Sequence, residues 1–148
     1  MKPDDLIGVV GLQIIYCEKV TLPVNKLAER KWVFLENIND IEFIHSEKNT
    51  SYEIQFTNHS SFVIKNSTLR KLSYKASKPS TIDYLTLDGV KVTDEIVFSN
   101  IKIHTLEISY CEINKIRPEA FDVNTTNVLK IKNNVFKEVE SNAFKKLR

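Results

Sequence analysis

Leu106-Glu107-Ile108-Ser109-Tyr110-Cys111-Glu112-Ile113-Asn114-Lys115-Ile116 runs into Arg117-Pro118-Glu119-Ala120-Phe121. Twenty-three residues later, Leu129-Lys130-Ile131-Lys132-Asn133-Asn134-Val135-Phe136-Lys137-Glu138-Val139 runs into Glu140-Ser141-Asn142-Ala143-Phe144. Leu106 matches Leu129, Ile108 matches Ile131, and Cys111 matches Asn134. Ile113 matches Phe136, Ile116 matches Val139, and Ala120-Phe121 matches Ala143-Phe144. All of these pairs share one offset. A fixed period of this length is the mark of a stacked repeat.

The physics of one copy explains the stacking. In Leu-x-Ile the two apolar side chains fall on one side of a strand, and Glu107 or Lys130 points the other way. So short a strand cannot bury its inner side alone. Stacked copies bury each other and form a continuous core. Pro118 suits the first turn of a helix, where its missing N–H costs nothing, and this predicts a short helical segment there. Ala120 and Phe121 then turn inward and close the coil.

Upstream the pattern loosens. Leu85, Leu87, Val90 and Val92 keep the spacing, 21 residues before Leu106. Leu12, Ile14 and Cys17 match Leu106, Ile108 and Cys111, and Tyr16-Cys17-Glu18 recurs as Tyr110-Cys111-Glu112. Ile54, Phe56 and His59 fit a further copy. Ile41 with Phe43, or Leu69 with Leu72 and Tyr74, are alternative strand starts, so the register between residues 18 and 81 stays open. Alternation across Ser51 to Lys65 predicts two strands with a turn at Asn58-His59-Ser60. Ser77-Lys78-Pro79-Ser80 reads as another local turn.

These residues resemble the leucine-rich-repeat family. Its pattern is an apolar pair two apart, an Asn or Cys three residues on, and then another apolar residue. The Ala-Phe pairs resemble the convex segments of extracellular members. The resemblance is clear for residues 82–148 and loose before. It implies an α/β solenoid, a horseshoe with a parallel sheet on its concave face and irregular or short helical segments on its convex face. The first coils are expected to be β-rich and irregular. The chain reads as one domain, residues 1–148, with irregular coils over 1–81 and regular repeats over 82–148. It reads as a fragment, without capping modules, whose last coil exposes an apolar edge.

In this family the Asn/Cys position stacks as a ladder and satisfies backbone groups at the strand exit. Cys17, Cys111 and Asn134 are the ladder candidates, and Val90 breaks the ladder chemically. Four coils between Cys17 and Cys111, at about 4.8 Å each, separate them by roughly 19 Å. A disulfide needs Cα atoms within about 7 Å, so none is expected.

The chain of 148 residues has 27% charged residues and a net charge of +2, with no broad pull on nucleic acid. Three glycines and three scattered histidines offer no phosphate loop or metal cluster, and no cofactor is expected. No apolar stretch is long enough to span a bilayer. No signal peptide is visible. Asp94-Glu95 and similar acid pairs read as solvated surface, not as catalytic carboxylates. Four N-x-S/T sequons begin at Asn49, Asn58, Asn66 and Asn124. Chance supplies about two in a chain of this composition.

The functional expectation is therefore a non-catalytic module that binds a protein ligand, in an extracellular or cell-surface protein. The candidate contact residues are the outward positions Thr86, Asp88, Glu107, Ser109, Tyr110, Lys130, Lys132 and Asn133, which pass from acidic to basic along the stack. The alternatives are an intracellular or structural scaffold and, more remotely, a β-helix enzyme acting on carbohydrate.

Overall fold

The structure, a computed structural model, describes residues 11–28, 30–44, 54–56, 60–76 and 81–148. In chain order the elements are β1 (Gly11–Pro23), α1 (Val24–Ala28), β2 (Trp32–Ile44), β3 (Ile54–Phe56), β4 (Ser61–Lys65) and β5 (Thr68–Leu69). They continue with β6 (Leu72–Ala76), β7 (Thr81–Asp88), β8 (Lys91–Ser109), β9 (Glu112–Ile116), β10 (Phe121–Lys132) and β11 (Val135–Val139). The strands join in one 11-stranded sheet, and each strand pair is parallel. The chain is a parallel β-solenoid of about five turns.

One row of strands sets the register. Gly11 faces Trp32, Trp32 faces Ser61, Ser61 faces Tyr84, Tyr84 faces Thr105, and Thr105 aligns with Val128. Each coil therefore takes 21, 29, 23, 21 and 23 residues in turn. The inward pairs of this row are Leu12/Ile14, Val33/Leu35, Phe62/Ile64, Leu85/Leu87 and Leu106/Ile108, all buried. Each such side chain contributes about 1.5–3 kcal/mol on burial, before chain entropy is counted.

The register resolves what the sequence leaves open. The copies in coils 2 and 3 are Val33-x-Leu35 and Phe62-x-Ile64. Ile41 and Phe43 lie further along β2, Leu69 lies in β5, and Leu72 and Tyr74 lie in β6. Ile54 and Phe56 belong to β3, which pairs with β6 on another side of the coil. The two strands expected near residues 51–65 are present as β3 and β4, but they pair with neighbouring coils and not with each other. Of the turn residues, Ser60 is described; Asn58, His59 and the turn at residues 77–80 lie outside the described residues.

A corner follows the first row in every coil. Tyr16, Asn37, Asn66, Gly89, Tyr110 and Asn133 all have positive φ, between 46° and 66°. They stand one above another in the same register. A left-handed residue reverses the strand direction sharply, and Gly and Asn adopt it most cheaply.

The expected short helical segments on the far side are absent among the described residues. α1, five residues long, is the only helix described. Arg117 to Ala120 forms a turn, and strands fill the rest of the coil. Ile96, Phe98, Ile101 and Ile103 lie buried along β8, and β-branched and aromatic residues packed this way favour strand. Ala120, Phe121 and Ala143 do turn inward. Phe98, Phe121 and Phe144 form a stack with centroids 5.3 and 5.1 Å apart. Tyr74 faces Phe98 in register and continues this column.

Candidate functional site

The outward side of the first strand row brings most of the sequence candidates together. Thr86, Glu107 and Lys130 form one column, and Asp88, Ser109 and Lys132 form the next. Tyr110 and Asn133 stand beside them in the left-handed corner.

Their availability differs. Tyr110, Lys132 and Asn133 are exposed, while Thr86, Asp88, Glu107 and Lys130 are half-buried. Ser109 is only 1% exposed, so it is not a contact residue. Its hydroxyl donates to Glu107 Oε1 at 3.0 Å. Lys130 Nζ sits 2.9 Å from the same oxygen. The hydrogen bond from Lys130 holds the Glu107 carboxyl below its ordinary pKa against the opposing effect of burial, and the Ser109 hydroxyl adds to the lowering. The Lys132 ammonium lies over the Tyr110 ring at 6.0 Å. The charged end of this face is therefore largely satisfied within the molecule.

Two basic residues near the C-terminal end follow the same rule. Lys137 pairs with Glu112 at 2.7 Å, and Lys146 pairs with Glu119 at 3.2 Å. These cations each neutralise an acid one coil earlier.

At the ladder position the side chains meet backbone groups in two ways. Asn134 Oδ1 accepts from the Cys111 N–H at 2.8 Å, and Asn134 Nδ2 donates to the Ile108 carbonyl at 2.8 Å. Ser67, which sequence reasoning missed, accepts from the Ile38 N–H at 3.1 Å. Cys111 performs only the donor half, from Sγ to the Leu87 carbonyl at 3.4 Å. Burial pushes its thiol up to about 11. Cys17 faces Ile38 in the first coil. The two thiols are free and stand four coil steps apart. Val90 sits at the ladder position without breaking the coil. Asn66 N–H donates to the Asp88 carbonyl, and Lys91 N–H to the Ser67 carbonyl, on either side of it.

A second face carries a charged triad that only the coil register brings into view. Glu95, 8% exposed, lies between Lys71 of the preceding coil, at 2.9 Å, and Arg117 of the following coil. Burial opposes its charge. Hydrogen bonds and attraction from Lys71 and Arg117 outweigh burial and hold its carboxyl below the ordinary value. Reading Asp94-Glu95 as solvated surface thus fails for Glu95, and Asp94 is half-buried. The signal was present: Lys71, Glu95 and Arg117 are one coil apart. It has meaning only once the register is known. Beside this triad an open groove of about 620 Å³ is lined by Asp40, Ile41, Glu42, Phe43, Arg70, Lys71 and Asp94. Lys19 pairs with Asp40 and Glu42, and Arg70 with Asp94.

Comparison of the chain with family models, with curated proteins and with solved structures found no match. Among the described residues, no group of three or more His, Cys, Asp or Glu is placed to hold a metal. No described helix is long and apolar enough to cross a membrane. Of the sequons, Asn66 and Asn124 are exposed, and Asn49 and Asn58 lie outside the described residues.

Proposed function

We propose that this chain is a non-catalytic protein-binding solenoid of the leucine-rich-repeat kind, carried by an extracellular or cell-surface protein. Its binding surface is the outward side of the first strand row. One observation carries the reading: the strands of this row hold their outward side chains in straight columns on a preformed sheet. Such a surface binds without the cost of ordering itself. The Asn134 ladder and the left-handed corner support the family reading. The all-strand far side departs from the family's usual convex segments.

A photo-crosslinking residue tests the surface. Placed at Thr86 on the strand face, it should trap a partner on cells that display the protein. Placed at Thr93 on the second face, it should trap much less. Equal yields from both positions would sink the assignment. Secreted expression tests the compartment. The extracellular reading expects a glycan mass at Asn66 or Asn124; clean asparagines at both would favour an intracellular scaffold.

The all-strand coil favours a second reading in architecture, a β-helix acting on carbohydrate. Glycoside hydrolysis uses a pair of carboxyl groups flanking the bond. Here Asp40, Glu42, Asp94, Glu95, Glu112 and Glu138 each face a cation within 4.0 Å. That pairing weighs against these six as the catalytic pair. Reducing-sugar release from a polysaccharide by the purified chain would reverse the order of the two readings.

A further inference from the structure

The sequence candidates cluster toward the C-terminal end of the strand face, where charges are satisfied internally. Two exposed aromatic side chains stand away from that end. Trp32 is 38% exposed and Tyr84 is 55% exposed. They occupy the same column, separated by Ser61, and so stand about two strand spacings apart, roughly 9.5 Å. Phe34 lies on the same strand face two residues after Trp32. Trp32 is laid down over Gly11: a Cβ at that position would collide with its indole. The glycine thus leaves the room in which the indole lies against the sheet.

Two further observations give the chemistry of what would sit there. Two columns further along the strands, about 13 Å from Trp32 and Tyr84, stand Glu36, Lys65 and Asp88, an acid on each side of one base. Lys65 places its ammonium over the Phe34 ring at 5.9 Å. The patch therefore already holds one cation on an aromatic face, and it retains an excess of carboxylate. Aromatic rings attract ammonium and guanidinium groups over their faces, more strongly where water is excluded. Trp and Tyr also dominate binding hot spots, with weaker contacts around them.

Resting on the proposed protein-binding role, we infer that Trp32 and Tyr84 form the hot spot of the strand face, with Glu36 and Asp88 further along the same face. The occupant is a protein segment that presents Lys or Arg beside an apolar side chain. The cation takes a place over Trp32 or Tyr84, as Lys65 does over Phe34, while Glu36 and Asp88, too far away to pair with it, favour a basic segment through the charge of the face. The apolar neighbour covers the remaining ring surface.

A displayed random-peptide library, selected on the immobilised folded protein, tests this. Peptides enriched in Lys or Arg next to an aromatic or aliphatic residue are expected. Trp32→Ala and Tyr84→Ala should each weaken them by more than about tenfold. Gly11→Ala, which displaces the indole and leaves its chemistry intact, should weaken them too. Circular dichroism checks that each variant is folded. Peptides that survive both aromatic substitutions but are lost with Thr86→Arg would overturn the hot spot and leave the strand-face reading standing. Peptides indifferent to every strand-face substitution, or no selected peptides at all, would overturn both. Selection of acidic peptides, or Trp32-dependent binding to a neutral glycan array, would assign the patch to another ligand and overturn the inference.

Discussion

At the residue scale, the corner and the ladder hold the coil together through a few backbone groups. Asn134 satisfies two of them at once, the Cys111 N–H and the Ile108 carbonyl. Asn134→Leu keeps the volume and removes both partners. Each orphaned group costs about 1–3 kcal/mol where burial keeps water out. Urea denaturation should therefore show a lower midpoint, and an unchanged midpoint would mean that water replaces the amide. Glu95 gives a pH dependence. Its folded-state pKa is depressed by Lys71 and Arg117 against the opposing effect of burial. The associated stability is complete above the unfolded-state value, about 4.3, and is lost as pH falls through the depressed folded value. Glu95→Gln should flatten the acid side of a melting-temperature profile below that point. A profile as steep as the parent's would show that other carboxylates control acid unfolding.

At the scale of elements, strands are joined by left-handed corners, and their cost depends on which residue occupies them. Gly89 holds φ at 66°, and an added Cβ would meet the Asn66 side-chain oxygen near 2.5 Å. Gly89→Ala should cost at least about 1–2 kcal/mol from backbone strain alone. Tyr110 occupies the equivalent corner one coil later, at φ 55°. Tyr110→Asn should recover part of that same strain and raise the melting temperature. A fall would mean that the contact between Lys132 and the Tyr110 ring outweighs the backbone. The far side of the coil shows how element type escapes a local reading. Pro118-Glu119-Ala120 is compatible with the start of a helix, yet it forms a turn. Phe98 and Phe121 must lie in register to stack, and strand geometry supplies that alignment.

At the scale of the whole molecule, each coil contacts its neighbours along the stack, so stability is distributed as in other repeat arrays. The middle coils are covered on both sides. The last one is not: Val128, Leu129, Val135 and Val139 are 41–59% exposed. Native-state hydrogen exchange should therefore be faster in β10 and β11 than in β7 and β8, with each segment opening at its own free energy. Uniform protection across these four strands would show either all-or-none opening or association through that edge. The ion pairs add little to this gradient individually, because most are exposed. Their regular placement, acid on one coil and base on the next, helps hold the coils in register.

By itself, the sequence determined the 23-residue offset of the last two copies, the inward pairs Leu106/Ile108 and Leu85/Leu87, the shared position of Cys111 and Asn134, and the wide separation of the two thiols. These follow from local chemistry: apolar residues two apart define one strand face, and a constant offset stacks that face. Tertiary structure alone decided the rest. The 29-residue step from Trp32 to Ser61 hid Val33/Leu35 and Phe62/Ile64, because a longer coil leaves no constant offset to follow. The burial of Ser109 depended on neighbours that the strand alternation does not specify. Glu95 became a buried, twice-paired acid only when Lys71 and Arg117 were brought above and below it. Trp32 and Tyr84 became one surface only when the coils aligned them, since 52 residues of chain separate the two rings and a single intervening strand joins them in space.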